Sequence, residues 1–317
     1  MGKSSSSALV GYTGFVGGNL AAAGRFDGLY NSKNIAEAYG TEPDLLVYAG
    51  LSAEKYLANQ NPEEDWKKIL QAEENIRRIS PEKLVLISTI DVFRNPVLVD
   101  EKSEIATEGL QPYGLHRYRL EEWVRKEYPD ALIVRLPALF GRGLKKNFIY
   151  DFIHVIPFML RKEKFAEFSE KEPVLSDCYS PQENGFYRLK EEGKDSEELK
   201  AVFRRLGFSA LSFTDSRSSY QFYDLSRLWS DLQHALELEI RLWHPATEPV
   251  TAGEVYRFLT GQEFVNELAG HPAQYDYRTV YAKEFGGRDG CPDGCQGGYM
   301  MGKDEVLKRI QKFVQEG

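Results

Sequence analysis

Along the first 136 residues, compact apolar runs alternate with longer stretches in which apolar positions return every three or four residues. The runs "SALV" (7–10), "GLYNS" (28–32), "DLLVYAG" (44–50), "KLVLIST" (83–89) and "ALIVRLP" (131–137) read as strands. Their near-continuous Val, Ile and Leu content is what strands covered on both faces require. Between them, "GFVGGNLAAAG" (14–24) opens a helix that Gly24 ends, and residues 61–80 carry the signals of a longer one. Asn61 is a cap, Pro62 takes the first helical position and acids fill the first turn. Trp66, Ile69, Leu70, Ile76 and Ile79 then fall on one stripe. A second long helix over 113–128, "YGLHRYRLEEWVRKEY", puts Tyr113 and Arg117 on one face a turn apart. The alternation predicts an α/β fold, a doubly wound parallel sheet layered with helices.

After Pro137 the pattern loosens. A helix within 191–208 is capped by Asp195 or Ser196 and stopped by Gly207, residues 222–239 return to strand then helix, and the last helix spans 302–317. The expected organisation is a nucleotide-binding domain of residues 1–136, rejoined by about 216–244. A smaller discontinuous substrate-binding portion is expected from 137–215 and about 245–317, with a cleft between the two.

Composition narrows the function classes. Acidic residues outnumber basic ones, 48 to 40, and no Lys/Arg tract stands out, so no nucleic-acid partner is expected. The longest apolar run (148–160) is broken by Asp151, His154 and Pro157, and nothing reads as a membrane span or a secretory h-region. Three cysteines, Cys178, Cys291 and Cys295, are too few and odd for a disulfide framework and point to a reducing cytoplasm. The "CPDGC" pair lacks a second half, and His154, His234, His244 and His271 show no ligand spacing, so no metal is expected.

The strongest chemical signal is "GYTGFVG" (11–17), a G-x-x-G-x-x-G motif directly after a strand and before a helix. Gly11 allows the tight turn, Gly14 lets backbone N–H groups approach a pyrophosphate, and Gly17 lets the helix pack closely on the sheet. With "YAGLSAEKYLANQNP" (48–62), "VLISTIDVF" (85–93), "VRLPALFG" (134–141) and "YQFYDLSRLWSDLQHAL" (220–236), this motif resembles the extended short-chain dehydrogenase/reductases. That family includes NAD(P)-dependent sugar-nucleotide epimerases, dehydratases and reductases. The match covers most of the chain and weakens over 161–215 and the last fifty residues.

The resemblance implies a Rossmann-type domain with the dinucleotide held by Gly11, Thr13, Gly14, Phe15, Val16 and Gly17, by Asn31, Ser32 and Lys33, by Ala49, Gly50 and Leu51, and by Leu136. It implies Thr89 as the partner of the substrate carbonyl and Tyr113 as the general acid/base. Arg117 stands where the family has a lysine that lowers the tyrosine pKa and holds the nicotinamide ribose. A guanidinium keeps the charge but not the shape. Dehydration is disfavoured, because the family's Thr-Asp-Glu is Thr89-Ile90-Asp91 here. Ser32 and Lys33 lean the cofactor from NAD towards NADP. Asp91, Arg142, Asn147 and Arg217 are the expected substrate contacts, the cations for a diphosphate, and a homodimer through the two long helices is expected. Two other readings stay open: an NAD(P)-binding sensor or scaffold without turnover, and a reductase of small carbonyl compounds.

Overall fold

The structure is a computed structural model that describes residues 6–182, 185–193, 196–268, 270–287 and 298–316. Asp195, Cys291 and Cys295 lie outside these. The chain divides into two compact units, one of residues 1–144, 219–250 and 274–313, the other of 145–218, 251–273 and 314–317. The first unit thus takes in 274–313, which the sequence reading gave to the substrate-binding portion.

The first unit is built on a six-stranded sheet. Its elements are β1 (Ser7–Val10), α1 (Phe15–Ala23), β2 (Gly28–Tyr30), β3 (Leu45–Tyr48), α2 (Lys55–Gln60), α3 (Pro62–Ile79), β4 (Lys83–Thr89), α4 (Pro112–Glu127) and β5 (Leu132–Leu136). The strand Leu242–Trp243 adds to the edge beyond β5, giving the order Leu242–Trp243, β5, β4, β3, β1, β2, with every pairing parallel. Side-chain alternation sorts the strands onto two covered faces. Ala8, Val10, Leu46, Tyr48, Leu84, Leu86 and Ile133 pack with Ile69, Ala72, Ile76 and Ile79 of α3 and with Leu120 and Val124 of α4. Leu9, Val47, Val85, Leu132 and Val134, of the opposite parity, are equally buried. On their side α1 meets the helix Leu228–Glu237, where the rings of Phe26 and Trp229 lie 4.9 Å apart. Each large aliphatic side chain so buried contributes about 1.5–3 kcal/mol.

Two sequence expectations are corrected here. Leu70 is 46% exposed and leaves the stripe of α3, because its position turns away from the sheet. The second strand stops at Tyr30 rather than residue 32, since side chains then take over the backbone: Asn34 Oδ1 accepts from Asn31 N (2.8 Å) and Asn31 Oδ1 from Lys33 N (2.8 Å). The helix α2 was not anticipated.

A buried polar network fastens α4 to the sheet. Glu121 accepts from Ser88 Oγ at 2.6 Å and from Arg135 Nη2 at 2.7 Å, and Arg135 Nη1 reaches His244 Nε2 at 3.3 Å. Burial and the Arg135 charge hold His244 well below the ordinary histidine pKa, so its ring is neutral. Its Nε2 then accepts from Arg135, and Nδ1 donates to the Arg278 carbonyl at 3.2 Å. Glu101 accepts from His244 N, Thr279 Oγ1 and Val280 N at 2.8, 2.6 and 2.9 Å.

In the second unit a three-stranded antiparallel sheet, ordered Met159–Arg161, Phe186–Leu189, Tyr179–Pro181, packs against helices. Its core joins Phe165 and Phe168 of the helix Lys162–Lys171 to Leu199, Val202 and Phe203 of the helix Glu197–Arg205. Ser196 caps the latter, its hydroxyl accepting from Leu199 N at 3.2 Å. Among the described residues no helix is long and apolar enough to cross a membrane.

Burial pushes the Glu101 carboxyl up to about 7. A carboxyl that ionises more readily in the unfolded chain contributes stability that is complete below its ordinary pKa and lost as pH rises through its folded value. The thermal midpoint should therefore carry a downward slope between about pH 4.5 and 7 from this group. Melting curves of Glu101→Gln across that range should lack this component, whatever the variant's midpoint at low pH.

Candidate functional site

The glycine motif forms a bare cradle at the start of α1. Gly11 has φ +93°, and a Cβ there would stand 2.4 Å from the Ala49 carbonyl oxygen. A Cβ on Gly17 would stand 2.1 Å from the Gly11 oxygen, so only glycine lets the loop fold back on its own helix. Gly14 is the N-cap, has no side chain to cap with, and is followed by no acid in the first turn. The first-turn N–H groups, with the positive end of the helix, are what a pyrophosphate needs. Gly11 N donates to the Tyr30 carbonyl (2.7 Å) and Ala49 N to that of Val10 (2.9 Å), which sets Asn31 and the 49–51 segment beside the loop. Ser32 and Lys33 are exposed next to each other on the turn after β2.

Thr89 ends β4, and Tyr113 lies in the first turn of α4. Gly114 explains how they meet: a Cβ there would be 2.1 Å from the Asp91 carbonyl oxygen, so the helix starts directly against the turn Ile90–Val92. Asn59 of α2 completes the docking, its Oδ1 accepting from Tyr113 N at 2.9 Å. The Thr89 hydroxyl thus lies near enough to the Tyr113 phenol to act on its proton affinity. Burial raises the Tyr113 pKa; Arg117 and Thr89 lower it, Asp91 raises it, and the net direction is upward. The group is a proton donor at neutral pH.

Arg117 is 3% exposed, and its guanidinium carbon sits 4.0 Å over the Tyr113 ring. Its Nη1 donates to Asp65 Oδ2 at 2.5 Å and its Nη2 to the Ser52 carbonyl at 2.8 Å. His116 Nδ1 reaches the same Asp65 oxygen at 2.8 Å. Sequence reasoning missed Asp65, taking it for one more first-turn acid; no sequence signal marks it as buried.

Beside Thr89 lies a cavity of about 200 Å³ lined by Thr89, Ile90, Asp91, Leu136, Pro137, Ala138, Tyr220, Gln221 and Tyr275, all of the first unit. Asp91 is gripped at one oxygen: Lys55 Nζ lies 2.9 Å from Oδ1, and Tyr275 donates its hydroxyl proton to the same oxygen at 3.1 Å. Lys55 and Tyr275 come from an unexpected helix and a weakly patterned segment, and the sequence reading included neither.

The other expected contacts are placed as follows. Arg142 is exposed, with its backbone tied to α1, its N donating to Asn19 Oδ1 (3.1 Å) and its carbonyl accepting from Asn19 Nδ2 (2.9 Å). In the second unit Asn147 caps the helix Phe148–His154, its Oδ1 accepting from Ile149 N and Tyr150 N at 3.0 and 3.1 Å. Arg217 forms ion pairs with Asp215 (2.7 Å) and Glu267 (3.0 Å). Among the described residues no group of three or more His, Cys, Asp or Glu side chains is placed to hold a metal.

Removing one partner of a buried ion pair strands the other charge. Arg117→Ala should cost about 3–5 kcal/mol in denaturant unfolding, and Arg117→Ala with Asp65→Ala should cost less than the two single changes added. Additive losses would show that the pair does not couple α3 to α4.

No family model matches the chain, and no curated protein matches it. Solved structures do, over nearly their whole length. A dTDP-4-dehydrorhamnose reductase from Bacillus anthracis in complex with NADP superposes with TM-score 0.60 at 13% identity, covering 99% of each chain. An NAD-dependent NDP-hexosamine 5,6-dehydratase of tunicamycin biosynthesis gives the same three values. A UDP-glucose 4-epimerase from Thermotoga maritima with UDP-glucose gives TM-score 0.57 at 12% identity, covering 98% of this chain and 97% of that one. At such identities the likeness is one of fold, and the chain has the Rossmann-type fold expected from its resemblance to the extended short-chain dehydrogenase/reductases.

Proposed function

We propose that the chain is an NAD(P)-dependent oxidoreductase or epimerase of that family, acting on a nucleotide-activated sugar by hydride transfer with Tyr113 as the proton relay. The observation that carries the reading is the meeting of Thr89 and Tyr113 beside a cavity in the unit that holds the bare glycine loop.

The cradle fits a dinucleotide. Gly11, Thr13, Gly14, Phe15, Val16 and Gly17 hold the pyrophosphate on the helix end, while Asn31, Ser32 and Lys33 take the adenosine ribose, where the exposed lysine favours a 2′-phosphate and so NADP. Ala49, Gly50, Leu51 and Leu136 line the bound cofactor. When bound, the nicotinamide supplies or accepts the hydride. Thr89 orients the substrate oxygen, and Tyr113 gives it a proton as the carbonyl is reduced; the phenolate left behind is stabilised by the Arg117 charge and by Thr89. Asp91 contacts the sugar. Arg142, exposed beside α1, takes the diphosphate in preference to Arg217, whose fork is occupied by two carboxylates, and Asn147 is a secondary contact. A homodimer through α3 and α4 belongs to the same proposal.

One observation favours a second reading. Arg117 is committed to Asp65 and the Ser52 carbonyl, which limits what it offers a ribose. On that reading the chain binds the dinucleotide without turnover, as a sensor or scaffold.

Calorimetry with NAD and NADP, and nicotinamide absorbance with a panel of keto-sugar nucleotides, separate the two. Turnover that falls by at least about 10²-fold in Tyr113→Phe, with cofactor affinity unchanged, is the expected result. Tight cofactor binding with silent absorbance and unchanged sugar stereochemistry for every substrate would establish the binder instead.

A further inference from the structure

The cavity beside Thr89 carries a second polar group whose arrangement restricts what can bind there. Asp91 Oδ1 is occupied by Lys55 and Tyr275, and among the described residues no hydrogen bond reaches Oδ2. A carboxylate oxygen facing the cavity can only accept a hydrogen bond. Of the lining side chains other than Asp91 and Tyr275, only Thr89 and Tyr220 present hydroxyls. Gln221 spends its amide on the Thr247 and Tyr277 carbonyls and its oxygen on Tyr277 N, while Ile90, Leu136, Pro137 and Ala138 are apolar. The rings of Tyr220 and Tyr275 lie nearly parallel, 24° apart with centroids at 6.4 Å, and give the cavity flat aromatic surface. Such surface suits the C–H face of a sugar ring.

We propose that Asp91, fixed by Lys55 and Tyr275, determines specificity in this cavity by accepting a hydroxyl one or two carbons from the reacting carbonyl and rejecting otherwise identical deoxy substrates. The inference rests on the function proposed above and narrows its substrate class. Thr89 and Asp91 flank a single residue on one turn, with Asp91 N donating to Thr89 Oγ1 at 3.2 Å. A carbonyl oxygen held by Thr89 therefore brings the neighbouring carbons towards Asp91. A deoxy substrate would displace water from the open oxygen and return no hydrogen bond, which is the origin of strong discrimination at sites built for a hydroxyl. The Asp91 side chain keeps 20% of its exposure, so the penalty falls short of that at a sealed site and amounts to about 10²-fold. Tyr275 acts through Asp91, as a positioning residue.

The test measures kcat/KM for a nucleoside-diphosphate 4-keto-hexose and for its analogues lacking the hydroxyl one or two carbons from the carbonyl. It is run on the full chain and on Asp91→Ala, Asp91→Asn and Tyr275→Phe. The readout is the ratio between two substrates on one enzyme, so a variant that merely folds poorly lowers both rates and leaves the ratio alone. The wild type should prefer one hydroxylated substrate about 10²-fold, Asp91→Ala should bring the ratio to within a few-fold of one, and Asp91→Asn should fall between. Tyr275→Phe should reduce the preference several-fold through KM with kcat nearly unchanged. A wild-type ratio near one, or a ratio that survives Asp91→Ala and Asp91→Asn, overturns the inference and leaves the oxidoreductase reading standing. If no keto-sugar nucleotide is bound or turned over by any form, that reading fails and takes the inference with it.

Discussion

The buried ion pair between Asp65 and Arg117 is the constraint on which the candidate site depends. Desolvating two charges is costly, and such a pair is weak evidence for stability taken alone. Its geometric effect is firmer. Arg117 can satisfy its donors only while α3, the Ser52 carbonyl and the first turn of α4 stay in register, and its guanidinium then covers the Tyr113 ring. Arg117 therefore acts as a clamp as well as a charge. Gly114 sets the other limit, because the helix cannot rise from the Asp91 backbone once it is clamped.

Farther along α4 the same device recurs. Glu121, fully buried, draws Ser88 of β4 and Arg135 of β5 onto one carboxylate, and Arg135 extends the chain to a neutral His244. The helix is thus held to the sheet by polar contacts along its length and by Leu120 and Val124 between them. Apolar packing leaves a helix some freedom to slide by small steps; directional bonds to named atoms on two strands do not.

How much of this was legible in the sequence follows from the range of each interaction. The strands and the helices α1, α3 and α4 were readable, because burial on two faces and a 3.6-residue period are local patterns, and the glycine motif is read from its immediate flanks. Thr89 and Tyr113 came from the resemblance, and the close approach at Gly114 supplies their physical connection. Asp65, Lys55 and Tyr275 were not readable. Each matters through a partner 52, 36 or 184 positions away, and nothing in a neighbouring residue announces such a pairing. Arg217 is a mixed case: a cation in a polar loop looked free in sequence, yet it pairs with Asp215 two residues back as well as with Glu267 50 residues on.

The threefold passage of the chain through the first unit also bears on how the protein is made. Residues 219–250 add the last strand to the sheet, and 274–313 supply Tyr275 and the Thr279 and Val280 donors that close over Glu101. On a ribosome delivering residues from the N-terminus, the early strands, helices and glycine loop emerge long before those partners exist. The unit cannot complete its polar interior until nearly the whole chain is available, since the contacts of Tyr275, Thr279 and Val280 can form only once residues 274–280 have been made. A nascent chain halted before residue 274 would carry a sheet and a glycine loop with one wall of the candidate site unfinished.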